Sequence, residues 1–353
     1  MENEWSLIGT QMRGTFLASQ VDRANRNLFC VGLALILAVG AYGAFQWKYF
    51  YNFFKGPSDI EVNSLSLINN PESLLRYFVT IKGEDSLDTG LQDVERTESQ
   101  SGVVQSETVK AEYAILVLGK RLLIVKRNPK DDGKEYHGAI TELPTDVHSK
   151  IVTPLLGEYP NADSVFLPLM LDATGFRSDG YVALAIGLPV LLFAAWLIRK
   201  VAQRRNDPLS HPIFKAASRY GSLVDIAQQI DLELKGNAGR LCGAIVTPSW
   251  VLVKGMFSCA VFHIPDVVWA YKKVTKHSVN FIPTGKTYST LMFDRYGVSL
   301  EMDEKRDKTD AVLTMLGEKT PWAVFGYSDE LKKIAQENWS GFVAAVDARR
   351  IGA

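Results

Sequence analysis

Cysteine is scarce in this chain, with three among 353 residues and none between residues 52 and 179. A disulfide framework is therefore excluded from that middle segment. Cys30 falls in an apolar run, and Cys242 and Cys259 read as reduced thiols buried in strands. Metal-ligand spacing is also missing. The five histidines, His137, His148, His211, His263 and His277, form neither HxH nor HExxH, and no second cysteine pair accompanies Cys242 and Cys259. Gly-x-Ser-x-Gly is absent, so the sequence nominates no nucleophile elbow. The ending of Pro283-Thr284-Gly285-Lys286-Thr287 imitates a phosphate-binding loop. Asn280 stands where the first glycine belongs, however, and the context is strand, turn, strand. Finally there is no charge surplus: 39 basic and 39 acidic residues give a formal net charge of zero, which argues against a nucleic-acid partner. No catalytic residue, metal or cofactor is expected from these patterns, and the chain reads as no enzyme.

What the chain does have is two long charge-free runs, Leu28 to Phe45 and Tyr181 to Ile198. About 20 helical residues cross a hydrocarbon core about 30 Å thick, so segments 28–47 and 181–198 are expected to span a membrane as a helical hairpin. The flanks support this. Trp47, Tyr49, Phe50 and Tyr51 suit an interfacial aromatic belt, and Trp196 followed by Arg199, Lys200, Arg204 and Arg205 suits a cytoplasmic boundary. With Arg13, Arg23 and Arg26 before the first run, both termini are expected in the cytoplasm. A cleaved signal peptide would end in small residues, whereas bulky aromatics follow here. The lack of sorting signals and the unpaired cysteines suit a bacterial inner membrane.

The remaining segments divide accordingly. Residues 1–27 form a cytoplasmic arm in which Trp5, Ile8, Met12, Phe16 and Leu17 recur at helical spacing. Two readings fit it, a helix lying on the membrane surface or one packed on the C-terminal domain. Residues 52–179 are expected as an extracytoplasmic α/β domain. It would hold a helix from Asn70 to Phe78, a flexible polar insertion at 83–110, and a hairpin turning at Gly119-Lys120-Arg121. A strand from Glu135 to Thr141 and a helix over Asp146 to Leu156 follow. Residues 207–236 form a helical linker, interrupted near Gly221-Ser222, as one kinked helix or two in series. From Leu241 the period becomes that of short strands, broken at Thr247-Pro248-Ser249, Pro283-Thr284-Gly285 and Arg295-Tyr296-Gly297, and ending in a helix from Ser328 to Arg349.

Seven or eight short strands closed by one helix resemble the pleckstrin-homology-like (PH-like) superfold of membrane-tethered bacterial proteins. The residues carrying the likeness are Thr247-Pro248-Ser249-Trp250-Val251-Leu252-Val253, Ile264-Pro265-Asp266-Val267-Val268-Trp269-Ala270-Tyr271, and the terminal helix. The resemblance covers 240–349 and implies a PH-like β-barrel plus C-terminal helix, but no single function. In such a barrel Val268 and Ala270 would face the core, with Trp269 and Tyr271 under the helix.

Lys272, Lys273, Lys276 and Lys286 then make a basic rim that could hold anionic lipid headgroups beside a membrane. An ordinary solvated edge is the competing reading, since Asp294, Glu301, Asp303 and Glu304 follow. Small residues at Ala34, Ala38, Ala41, Gly40 and Ala44, and at Ala183 and Gly187, suit close helix packing within the chain or between copies. The expected function is a membrane-anchored scaffold or adaptor with interaction domains on both faces. Its expected partners are membrane lipids and a protein partner or second copy met through the transmembrane helices. Lipid sensing by the basic rim is the first alternative. An envelope enzyme using Glu135, His137 or Asp146 is the second.

Overall fold

The computed structural model describes residues 11–68, 70–98, 104–157, 159, 161–241, 243–279, 282–304 and 306–352. The chain divides into two compact units, residues 35–193 and the combination of 1–34 with 194–353. The first long helix, α1 (Phe16–Phe45), has 30 residues and is about 45 Å long at the helical rise. Its first turns bury Leu17, Val21 and Ala24, whereas from Phe29 onward Val31, Leu33 and Ile36 are exposed, with Leu37 62% exposed.

In the unit of residues 35–193, α1 gives way at Gln46 to α2 (Trp47–Lys55), and a seven-stranded sheet follows. Its strands are β1 (Ser58–Asp59), β2 (Phe78–Lys82), β3 (Asp85–Glu98), β4 (Val104–Leu118), β5 (Arg121–Arg127), β6 (Glu135–Glu142) and β7 (Phe166–Asp172). The spatial order is β1-β2-β6-β7-β5-β4-β3, with parallel pairs only at β1·β2 and β5·β7. Alternation along the strands sorts side chains to the two faces. Leu123, Val125, Leu167, Leu169 and Leu171 pack with Leu65 on one face. Ile124, Phe166 and Met170 pack on the other with Val147, Ile151 and Val152 of α3 (Thr145–Leu155).

Two expectations for this unit need correction. The stretch from Asn70 to Phe78 contains only a single 3-10 turn at Pro71–Ser73 before β2 begins. The polar segment 83–110, expected as a flexible insertion, supplies all of β3 and the start of β4, with 99–103 outside the described residues. Its charges are paired across the ladder. Lys110 meets Glu95 at 2.7 Å, Arg96 meets Glu107 at 3.3 Å, and Lys126 of β5 meets Asp93 at 2.7 Å.

The second long helix, α4 (Phe176–Asn206), has 31 residues and exposes Leu184, Ile186, Leu188, Leu192 and Trp196. Both long helices are long and apolar enough to cross a membrane. Close approach occurs at Gly32, where an added Cβ would lie 3.2 Å from the Ala194 carbonyl oxygen and 3.1 Å from Ile198 Cγ1. Gly40, expected in the small-residue contact, has open space around it.

In the second unit, the expected interruption near Gly221-Ser222 separates two helices in series, α5 (Pro212–Ser218) and α6 (Leu223–Gly236). They share one core with Met12, Leu17, Val21 and Ala24 and with Trp250, Leu252, Cys259 and Val261. Of the two readings of the arm, packing on the C-terminal domain therefore holds for residues 12–24; Trp5 and Ile8 lie outside the described residues. Arm, linker and strands, read from sequence as separate segments, are one folded body.

That body contains two four-stranded sheets. The first orders as β11-β10-β9-β8, from β8 (Gly239–Leu241), β9 (Ala244–Val246), β10 (Trp250–Lys254) and β11 (Cys259–His263). The second orders as β14-β13-β12-β15, from β12 (Val267–Val279), β13 (Ile282–Asp294), β14 (Ser299–Glu304) and β15 (Val324–Phe325). No closed barrel forms among the described residues. A 3-10 turn at Ile264–Asp266 carries the chain from one sheet to the other, and β15 occupies the β12 edge that closure onto β11 would need.

Helix α7 (Arg306–Lys319), not anticipated from the sequence, buries Val312 and Leu316 with Val251 and Phe262 of the first sheet and Ala270 and Met292 of the second. The expected terminal helix is two, α8 (Asp329–Glu337) and α9 (Trp339–Gly352), with the break at Asn338. Ser328 does cap α8, accepting the Leu331 N–H at 3.1 Å. Trp269 lies under α9, 5.9 Å from Phe342, and donates its indole N–H to the Gly326 carbonyl at 2.8 Å. Val268, expected with Ala270, packs with Trp269 instead, because a ladder irregularity between Val267 and Trp269 shifts its face.

Candidate functional site

The four lysines read from the sequence all lie on the β12–β13 hairpin, and the structure divides them. Lys272 Nζ is 2.7 Å from Asp310 of α7 and 5.3 Å from the centre of the Tyr288 ring. Lys273 is 2.8 Å from Glu301 of β14, which also accepts from Ser289 at 2.8 Å. The hydrogen bonds from Lys273 and Ser289 hold the Glu301 carboxyl below its ordinary pKa, and the bond to Glu301 raises that of Lys273. These two lysines fasten the hairpin to its neighbours.

Lys276 and Lys286 differ. The β12–β13 ladder runs on to Val279↔Ile282, whereas β14 stops at Glu304, opposite Tyr288. Beyond that row the hairpin is a two-stranded ribbon. Lys276 and Lys286 pair directly across it, both exposed and without an acidic partner among the described residues. Beside them, His277 Nε2 is 2.6 Å from Thr287 Oγ1. The expected turn Pro283-Thr284-Gly285 belongs to β13, with Gly285 opposite His277 and Pro283 opposite Ser278. The phosphate-loop imitation thus lies in a strand with no helix behind it to present amide groups.

Sequence reading missed the densest polar clusters. Arg127 of β5 is only 3% exposed, and it sits 3.8 Å from Asp88, 3.7 Å from Glu112 and 3.2 Å from Asp132. It also donates to the Asp131 carbonyl at 2.7 Å, so one cation organises β3, β4 and the loop after β5. In the other unit the Tyr220 hydroxyl donates to the buried Asp294 at 2.7 Å, while Asp294 accepts the N–H groups of Tyr296 and Val298. Burial, then the bond to Asp294, raises the Tyr220 phenol far above its usual range. His211 is fully buried at the start of α5 and accepts the Ile213 N–H at Nδ1. Burial, then the nearby Arg204 charge, lowers it to about 4. None of these groups carries a periodic or motif signature, because their partners are distant in the chain. Their geometry is that of structural pins tied to main-chain or charged partners, although the buried Arg127 Nε and His211 Nε2 have no hydrogen-bond partner among the described residues.

Between α1 and α4, within residues 35–193, runs an apolar groove of about 830 Å³ lined by Ala38, Tyr42, Gln46, Asp179, Ala183 and Gly187. Among the described residues no group of three or more His, Cys, Asp or Glu could hold a metal ion. Glu135 and His137 lie two residues apart on β6, and Asp146 on α3. Glu135 pairs with Lys82 in the ladder, His137 Nδ1 lies 2.9 Å from Thr80 Oγ1, and Asp146 lies in the first turn of α3.

Residues 226–335 match a family model described as a domain of unknown function, DUF6709, which starts within α6 and ends within α8. No curated protein matches this chain, and no solved structure matches it.

Proposed function

We propose that this chain is a two-span protein of the cytoplasmic membrane, a scaffold or adaptor with an α/β domain outside and a two-sheet domain inside. The observation that carries the reading is the exposure of two charge-free runs, residues 29–45 of α1 and 181–198 of α4, whose leucines, valines and aromatics face outward. A soluble fold would leave that area in water at about 25 cal/mol per Å², whereas a bilayer removes the cost. The basic flanks of both helices favour the cytoplasmic side for the termini. The two-sheet domain is read as PH-like in the broad sense, supported by α7 packing against both sheets. The open face around Gly40 leaves room for a second copy.

The test is labelling of intact cells with a membrane-impermeant thiol reagent, after replacing Cys30, Cys242 and Cys259. Single cysteines go at Lys120, in the exposed β4–β5 turn, and at Lys333 of α8, whose side chain is exposed. Labelling at position 120 alone supports the reading. Labelling at 333 overturns the orientation. Recovery of neither a stable partner nor a second copy from detergent extracts would remove the scaffold role.

A second reading, sensing of anionic lipid, is favoured by the unpaired Lys276–Lys286 tip. Near an anionic surface each such lysine contributes about 1 kcal/mol.

A further inference from the structure

The apolar run of α1 begins at Leu28, and the residue before it reaches across to the first sheet. Asn27 donates from Nδ2 to the main-chain oxygen of Met256 at 2.8 Å. Met256 lies in the β10–β11 turn, closed by a bond from the Gly255 N–H to the Ser258 carbonyl at 2.9 Å. Turns normally carry Gly, Asn, Asp, Ser or Pro at their centre. This one carries Met256 and Phe257, 65% and 39% exposed.

The height of this turn along α1 is fixed by more than one bond. Leu252 in the middle of β10 and Cys259, the first residue of β11, share a core with Leu17, Val21 and Ala24 of α1. Lys254 reaches back along the helix to place Nζ 5.0 Å from the centre of the Phe16 ring. The strands therefore run alongside α1, and their turn stands at the last polar residue before the charge-free run. On α4 the corresponding boundary is marked by Arg199 and Lys200, one turn past the Gly32–Ala194 contact, with Lys200 Nζ 4.5 Å from the Trp196 ring. An aromatic ring beneath a lysine is the pattern of a membrane interface.

We propose that the β10–β11 turn is a third membrane contact. Met256 and Phe257 enter the boundary between headgroups and acyl chains of the leaflet that α1 and α4 enter. Arg26, Arg199 and Lys200 hold anionic headgroups around them. The proposal rests on the spanning reading above and commits to a lipid surface as the occupant. Continuity with the two apolar helices and the surrounding positive charge argue for lipid over a protein groove. It gives the two-sheet domain a fixed attitude on the membrane, made by a different face from the Lys276–Lys286 tip.

The experiment uses the full chain in nanodiscs, with the native cysteines replaced and single cysteines at Phe257, Leu37 and Lys333 carrying an environment-sensitive fluorophore. Nitroxide groups placed shallow or deep on the lipid chains serve as quenchers. The expected result is quenching at position 257 by the shallow nitroxide, within about twofold of that at position 37 by the deep one, and none at 333. Quenching at 37 with none at 257 overturns the proposal and leaves the spanning helices standing. No quenching at 37 overturns the spanning reading itself. Quenching at 257 should increase when phosphatidylglycerol is added to phosphatidylcholine; equal quenching in both would remove the headgroup role of the three cations. Because Phe257 is an exposed turn residue, its substitution leaves the core intact, and unchanged thermal unfolding of the F257C chain checks this.

Discussion

Lys276 and Lys286 face each other directly across the β12–β13 ladder, two like charges in the row where opposite charges would stabilise the hairpin. Four residues earlier on β12, Lys272 is held by Asp310, and next to it Lys273 is held by Glu301. The difference separates a binding role from a structural one. Replacing both Lys276 and Lys286 with Gln should leave the melting temperature unchanged or slightly raised, since a like-charge pair costs a few tenths of a kcal/mol. If the tip senses lipid, contact of the hairpin with anionic nanodiscs should fall, as read by a fluorophore at Thr284. Lys273→Gln should lower the melting temperature modestly without changing that contact. Equal lipid contact in the double variant and the parent would end the lipid-sensing reading of this tip.

Arg127→Ala should destabilise the α/β unit by about 3 kcal/mol. The lower end of the range for a broken buried pair applies because Asp88 and Asp132 are largely exposed and can rehydrate, leaving Glu112 as the stranded charge. Thermal unfolding followed by tryptophan fluorescence would report poorly on this unit, whose one tryptophan, Trp47, is exposed on α2 and outside the sheet residues 52–179. Limited proteolysis at the 128–134 loop, which loses its tie to Arg127, is the better measurement. Cleavage there at the parental rate would show that the arginine is not the organising cation.

His211 gives a pH dependence with a definite sign. Its pKa falls from 6.5 in the unfolded chain to about 4 in the fold, so between those values the unfolded state binds more protons. Stability is therefore fully present above about pH 6.5 and is lost as the pH falls toward 4, by up to about 3 kcal/mol in total. Melting temperatures of the parent and of His211→Asn across that window check this. The asparagine side chain keeps an acceptor for the Ile213 N–H, so the variant should lose the acid-sensitive slope. Parallel slopes would place the titration elsewhere.

Local pattern made much of the architecture readable, and long-range pairing hid the rest. The charge-free runs located α1 and α4, the Gly119-Lys120-Arg121 turn located the β4–β5 hairpin, and Ser328 with Asp329 and Glu330 located the start of α8. Residues 85–98 were misread because their composition is that of a flexible segment. The carboxylates that suggest solvation are neutralised by Lys110, Arg96 and Lys126 only once β3, β4 and β5 are aligned. Helix α7 was missed because its short apolar set, Val312, Leu313, Met315 and Leu316, sits in an otherwise polar stretch and has meaning only against two sheets assembled from distant residues. Of the four lysines, the sequence located the patch but could not separate the two engaged by Asp310 and Glu301 from the two left free at the tip.

The same long-range packing predicts the behaviour of the isolated C-terminal fragment. Leu17, Val21 and Met12 are buried against Ile213, Ile226, Ile230 and Trp250, yet they precede the first span and would be absent from a chain starting at residue 207. At about 2 kcal/mol for each large apolar side chain, their loss removes about 6 kcal/mol from a domain whose whole stability is of the order of 5 to 15 kcal/mol. Fragment 207–353 should therefore aggregate or unfold near room temperature. A fusion of residues 11–27 to its N-terminus through a flexible linker should restore a cooperative transition. Calorimetry of the two chains decides the matter: a sharp, reversible transition in the bare fragment would mean that the arm is an ornament on a domain able to fold without it, and the core shared by α1, α5 and α6 would have to be reassigned as a docking contact.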